Sequence, residues 1–326
     1  MSITSFTRFF APNLTQSLAS LRMMVSEFRL LMFVVATCLA GLASTAARGQ
    51  AVEWSDFLPV IAFSLAKIFV GLMIRRTRFF GRTATFMIAF GLYWSFLVAY
   101  SILTFTVLPF SNPMIDQQLL AADAAIGFSW VGAVNALADY PTVALVLRFV
   151  YLSLIPQLVF VIILLSTLKQ QVELHRFLMV GLLSFTATLI IWWLFPSVGP
   201  TAYGMVSDEV QQKVHLVANA EYGEKMWRYA TEGNQVISGS KMEGVVAFPS
   251  MHIVLTGMIL WFTRNTYMFI PLLVLNFVMP VATVLQGGHH VMDLLGGVVL
   301  LYVCIEVASR LLRLSDFKNT GPAGQS

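Results

Sequence analysis

Charge is what this sequence lacks most. Only 11% of its 326 residues are Asp, Glu, Lys or Arg, against about 25% in an ordinary soluble domain. That shortage argues against a soluble globular chain. Cysteine is equally scarce: Cys38 and Cys304 are the only two, both inside apolar runs, which argues against a disulfide framework and says little about redox compartment. The basic residues do not form a patch that suggests nucleic acid as a partner; the cluster "RRTRFFGR" closes an apolar run and bears on membrane orientation. In place of charge the chain has 58% hydrophobic residues and a mean hydropathy of +0.78. These values belong to an all-α polytopic membrane protein.

A helical span needs roughly 20 apolar residues. Eight candidate spans meet or approach that length: 30–47, 57–74, 86–108, 143–167, 177–195, 249–263, 267–286 and 290–312. The sixth is short and polar at its start. Between the fifth and sixth lies a polar stretch, 196–248, with no readable motif over 205–245, which reads as a lid or an exposed loop.

Lys and Arg positions set the orientation. With the N-terminus inside, the inner segments hold Arg8, Arg22, Arg29, Arg75, Arg76, Arg78, Arg82, Lys169, Arg176, Arg264, Arg310, Arg313 and Lys318; the outer ones hold only Arg48, Lys213, Lys225, Arg228 and Lys241. Eight spans leave both termini cytoplasmic, with a tail at 313–326. The first span ends in small residues, as a signal peptide does, but its basic leader is too long, so it reads as retained. Residues 1–29 alternate apolar and polar side chains and suit an amphipathic helix on the inner surface. The outer segment 109–142 reads as one or two short interfacial helices, with Asp116, Asp123 and Asp139 solvated.

Of the five histidines, His175 reads as solvated beside Arg176 on an inner loop, and His215 lies in the long outer loop. The other three converge. His252, in "AFPSMH", sits at the outer mouth of the sixth span, and His289 and His290, in "GGHHVMDLLGG", at the outer mouth of the eighth. A topology drawn from Lys and Arg alone thus places three imidazoles at one depth on one side. A transporter or proton relay would more naturally hold its ionisable groups near the midplane.

His289 and Asp293 are four apart, so on a helix they share a face. The carboxylate can fix the imidazole tautomer and leave the other nitrogen free as nucleophile or base. His290 is a rival for the same role. Pro249 suits a first helical turn, where Ser250 and free N–H groups make an anion site; Gly287 and Gly288 permit close backbone approach. A zinc site from His252, His289 and Asp293 is a chemical alternative.

These two segments resemble the histidine motifs of the type 2 phosphatidic-acid phosphatase superfamily, roughly P-S-G-H and S-R-x5-H-x3-D. The resemblance implies a six-helix membrane core over about residues 86–312, with 30–85 adding two spans in front. It implies that His289 attacks phosphorus to give a phosphohistidine, that Asp293 orients it, and that His252 protonates the leaving oxygen and then activates the acceptor. No metal or other cofactor is implied. Ser250 would hold a phosphate oxygen, with Gly288, His290 and Tyr203 as further substrate contacts.

Two departures shift the resemblance. Where the phosphatases carry K-x6-R-P, this chain reads "FPSVGPTAYG", and Thr283 stands where they carry the Arg six residues before the second histidine. "FPSVGPTAY" and "VVAFPSMH" are instead similar to segments of the inositol phosphorylceramide synthase and sphingomyelin synthase branch. The implied protein is a plasma-membrane (inner-membrane) phosphotransferase acting on a lipid phosphoester at the outer or periplasmic face, with water or an alcohol as acceptor. A lipid phosphate phosphatase is the alternative within this chemistry, and a transporter or lipid-binding protein the alternative outside it. Arg148 or Lys241, with Lys225 and Arg228 as further candidates, would replace the missing phosphate-binding cations.

Overall fold

The computed structural model describes residues 23–77, 79–239 and 244–313. It is predominantly helical, with almost no strand and 6 to 8 candidate membrane-spanning helices. In chain order these begin with α1 (Val25–Arg48), α2 (Trp54–Thr77) and α3 (Gly81–Thr106). Two short helices follow, α4 (Asp116–Ala125) and α5 (Trp130–Leu137), and then α6 (Pro141–Leu152), α7 (Leu154–Thr167) and α8 (Gln171–Leu194). The outer loop holds a 3-10 turn, Pro200–Ala202, then α9 (Asp208–Lys213) and α10 (Ala220–Glu232). The chain closes with α11 (Met251–Thr263), α12 (Phe269–Asn276), α13 (Met279–Gly287) and α14 (Val291–Leu311).

The apolar runs predicted as spans are all helical, with shifted limits. α1 starts at Val25, so the last residues of the expected leader are already in the helix; residues 1–22 lie outside the described ones. The span expected at 143–167 is bent by 45° between α6 and α7. Pro156, in the first turn of α7, has no N–H to return to the preceding turn, so the helix breaks there. α12 and α13 together pass as one span, Phe269–Gly287. α8 begins at Gln171 and takes His175 and Arg176 into the helix.

Large apolar side chains such as Leu39, Phe69, Phe149, Val274 and Tyr302 are exposed on the outside of the bundle, as lipid-facing residues must be. The core runs between α3, α7, α8, α11 and α14, around Phe96, Leu165, Phe177, Val254 and Met258.

Contacts fix which helix ends lie together. Arg75 at the end of α2 grips Glu27 near the start of α1. Arg29 donates to the Leu311 carbonyl at the end of α14, and Arg176 near the start of α8 to that of Leu312. His175, expected as solvated, is buried there because Ser26 Oγ sits 2.9 Å from its Nδ1. At the opposite end the α1–α2 connection is joined to the outer loop by a two-residue parallel ladder, β1 (Ala51–Val52) with β2 (Val236–Ile237).

Candidate active site

The mouths of α11 and α14 meet because glycine lets them. A Cβ on Gly297 would lie 2.7 Å from the Ser250 carbonyl, closer than atoms tolerate, so α14 can approach Pro249 and Ser250 only without one. The Ser250 N–H donates to the Asp293 carbonyl at 3.0 Å. The second pair of glycines in "GGHHVMDLLGG" is therefore a packing face, and the first is a turn. Gly288 ends α13 in the left-handed region, φ 62°, and its carbonyl lies where a Cβ on Gly199 would stand, at 2.5 Å. Loop 197–201 is thereby laid on the histidine loop.

This packing brings His252 and His289 to one cavity of about 650 Å³. Their rings meet edge to face with centroids 5.8 Å apart. His252 stacks on Tyr151 at 4.2 Å, nearly parallel, which fixes its ring plane. His289 Nδ1 lies 3.1 Å from Asp293 Oδ2. That oxygen also accepts the His290 N–H at 2.8 Å, so the carboxylate caps the first turn of α14 while it orients the imidazole. With Nδ1 protonated toward Asp293, His289 Nε2 keeps its lone pair. An imidazole held in that tautomer can act as nucleophile or base, and its neighbour His252 can pass a proton.

The cavity has two kinds of wall. Tyr100, Phe105, Leu152, Ile155 and Phe185 make an apolar side, while Asn219, Glu221, Tyr222 and Lys225 make a polar one. The polar wall comes from the stretch that carried no readable motif: the N-cap and first turns of α10 supply it, and the helix is anchored by buried Met226 and Ala230. Buried Gln286 holds this segment down. Its Nε2 donates to the Ala144 and Val214 carbonyls, its Oε1 accepts the Val217 N–H at 3.1 Å, and its carbonyl accepts that of Ala218 at 2.8 Å. A single Gln inside an apolar run, three residues before His289, was the available sign.

The other expected site residues fall in different places. Gly288 lines the cavity. Ser250 heads α11, but its hydroxyl is buried with no hydrogen-bonding partner among the described residues and does not line the cavity. Arg148 lies outside the cavity. It donates to the His215 carbonyl at 2.5 Å and lines a separate hollow with Asp208 and Gln211. Lys241 lies outside the described residues. Among the described residues of the cavity wall, Lys225 is the only Lys or Arg. Tyr203 also stands apart, edge-on to Trp227. Burial, and then the neighbouring Asp116 carboxylate, push its phenol up to about 12, so it stays a neutral donor.

His290 and the acidic residues require the largest correction. His290, expected to touch substrate, is wholly buried and turned away from the cavity. Asp116 and Asp123, expected to be solvated, are buried on one face of α4 with Leu119. They are buried because each has partners: Asp123 Oδ2 lies 3.1 Å from His290 Nδ1, and Asp116 Oδ1 accepts from Ser197 Oγ at 2.8 Å and Gly199 N at 2.9 Å. Asp139 alone of the three lies apart from this network.

No curated protein and no solved structure matches the chain. The model of the PAP2 superfamily does, over residues 117–307; the match begins within α4 and includes both histidine mouths and Asp123, the partner of His290. The chain thus belongs to the PAP2 superfamily, whose members are phosphatases or phosphotransferases.

Proposed function

We propose that the protein is a membrane phosphotransferase that acts on lipid phosphoesters through a phosphohistidine at His289, in the manner of the inositol phosphorylceramide synthase branch. The observation that carries this reading is the meeting of His252 and the Asp293-bound His289 at one cavity. In the first step His289 Nε2 forms a bond to phosphorus as the bond to the leaving alcohol oxygen breaks, and that oxygen takes a proton from His252. In the second, an acceptor hydroxyl gives its proton to His252 and its oxygen to phosphorus, and the P–N bond breaks. Asp293 holds the nucleophile's tautomer and stabilises the charge that develops on its ring.

Lys225, rather than Arg148, neutralises the phosphate in this scheme, since it stands on the cavity wall and Arg148 does not; Lys241 lies outside the described residues. The polar wall favours transfer over hydrolysis: Asn219, Glu221 and Tyr222 offer acceptors and donors to a hydroxyl-bearing molecule, which water does not need. The arginines at the end opposite to the site support an active site on the outer or periplasmic face of the plasma membrane.

The test is incubation of the purified protein with candidate lipid phosphoesters, with and without an alcohol acceptor, and identification of products by mass. A new phosphoester lipid is the expected product. Free inorganic phosphate alone would make the protein a phosphatase. Lipid binding without turnover, unaffected by changing His252 or His289 to Ala, would make it a carrier.

A further inference from the structure

We propose that His290 is a positioning residue: with Asp116 and Asp123 of α4 it forms a clamp that holds the nucleophile loop in register. Asp116 and Asp123 are seven residues apart, two turns, so they point the same way. Each takes hold of one segment that walls the cavity. Asp116 accepts from Ser197 Oγ and from the N–H groups of Val198 and Gly199; Asp123 accepts the Val291 N–H at 3.1 Å. The His290 ring bridges them, with Nδ1 3.1 Å from Asp123 Oδ2 and Nε2 3.6 Å from Asp116 Oδ1.

The clamp reaches the nucleophile through the backbone. The His290 N–H donates to Asp293 Oδ2, the same oxygen that binds His289. A ring pinned on α4 therefore fixes the peptide that fixes Asp293. The groups facing His290 are Asp116, Asp123 and Asp293, with His289 as chain neighbour. The ring is turned away from the cavity, so it does not serve as a phosphate-neutralising cation. Its use is geometric, and a displacement of about 1 Å at a reacting group is enough to slow chemistry about a hundredfold.

The kinetic half of the test rests on the proposed phosphotransfer; the spectroscopic half does not. In 15N-histidine spectra of the purified protein in detergent, His289 should show the Nδ1–H tautomer. His290→Ala should convert it to a mixture of tautomers and lower kcat about 30-fold, with KM changed by less than about threefold. His290→Asn, whose amide nitrogen overlays Nδ1 and can still reach Asp123, should restore the tautomer and most of kcat. If His290→Ala does not fold, Asp123→Asn should move both readouts the same way by about fivefold in kcat. Unchanged His289 signals in a folded His290→Ala or Asp123→Asn protein overturn the clamp. A shifted tautomer in a protein without turnover upholds the clamp and sinks only the reaction.

Discussion

Two buried ionic clusters, one at each end of the bundle, stand out among the described residues, and they are finished differently. At the arginine-rich end Glu27 binds both Nη atoms of Arg75, at 2.6 and 2.8 Å, and the Met24 N–H, while His175 lies between Glu27 and Ser26. Every oxygen of that carboxylate is used. At the histidine end Asp293 Oδ1, Ser250 Oγ and His290 Nε2 are buried without a hydrogen-bonding partner among the described residues, and His289 points a nitrogen at a cavity. Buried polar atoms are normally paired, and leaving them unpaired costs about 1–3 kcal/mol each. The closed cluster joins helices; the open one reaches the cavity through His289, whose outward nitrogen is free for something that arrives. Helix ends rich in buried charge are thus not alike, and it is the imidazole turned to a cavity that separates a site from a joint.

Breaking each cluster should therefore give different losses. The largest is expected at His289→Ala: kcat should fall by about four orders of magnitude, as for a lost nucleophile, with lipid binding kept and thermal unfolding little changed. His252→Ala should cost about a thousandfold in kcat, again with binding intact in an equilibrium lipid-binding assay. At the other end, Glu27→Ala should leave kcat per folded molecule alone and lower stability by about 3 kcal/mol, since it strands a partly buried guanidinium; detergent-denaturation curves measure this. The finest distinction concerns the cations. Lys225→Ala should raise KM about tenfold, the worth of one charge-assisted hydrogen bond, whereas Arg148→Ala should leave both constants unchanged. Equal effects at the two positions would dissolve the difference between the main cavity and its neighbouring hollow.

Much of this was legible before any coordinates. Long apolar runs place the spans because lipid admits few alternatives, and the spacing of His289 and Asp293 needs only helical geometry. The convergence of "FPSMH" on "GGHHVMD" followed from Lys and Arg positions. What stayed hidden was long-range pairing. Asp123 meets His290 across 167 residues, and nothing local to "DQQLLAAD" names that partner. The burial itself had a local sign: Asp116, Leu119 and Asp123 share one helical face, with Gln117 and Gln118 on the other, so an apolar face carrying two acids was readable as a buried one. His175 misled for the opposite reason. Its neighbour Arg176 suggested an exposed loop, but α8 starts four residues earlier and turns the imidazole inward. Arg148 seemed a phosphate ligand from its depth in the span, yet the α6 face it occupies turns toward the 208–216 segment.

The small ladder between β1 and β2 has a consequence for how this chain can be divided. Ala51 N donates to the Gln235 carbonyl and Glu53 N to that of Ile237, while Ser238 Oγ donates to Asp56 at 2.6 Å. Together with the Ser26–His175 and Arg29–Leu311 hydrogen bonds at the other end, this stitches α1 and α2 to the rest of the protein at both ends, although both precede the matched region. They are terminal in sequence but function as a brace in space. A chain cut before Gly81 would lose the edge against which the strand after α10 is laid, and the cap over the cavity would lose its outer support.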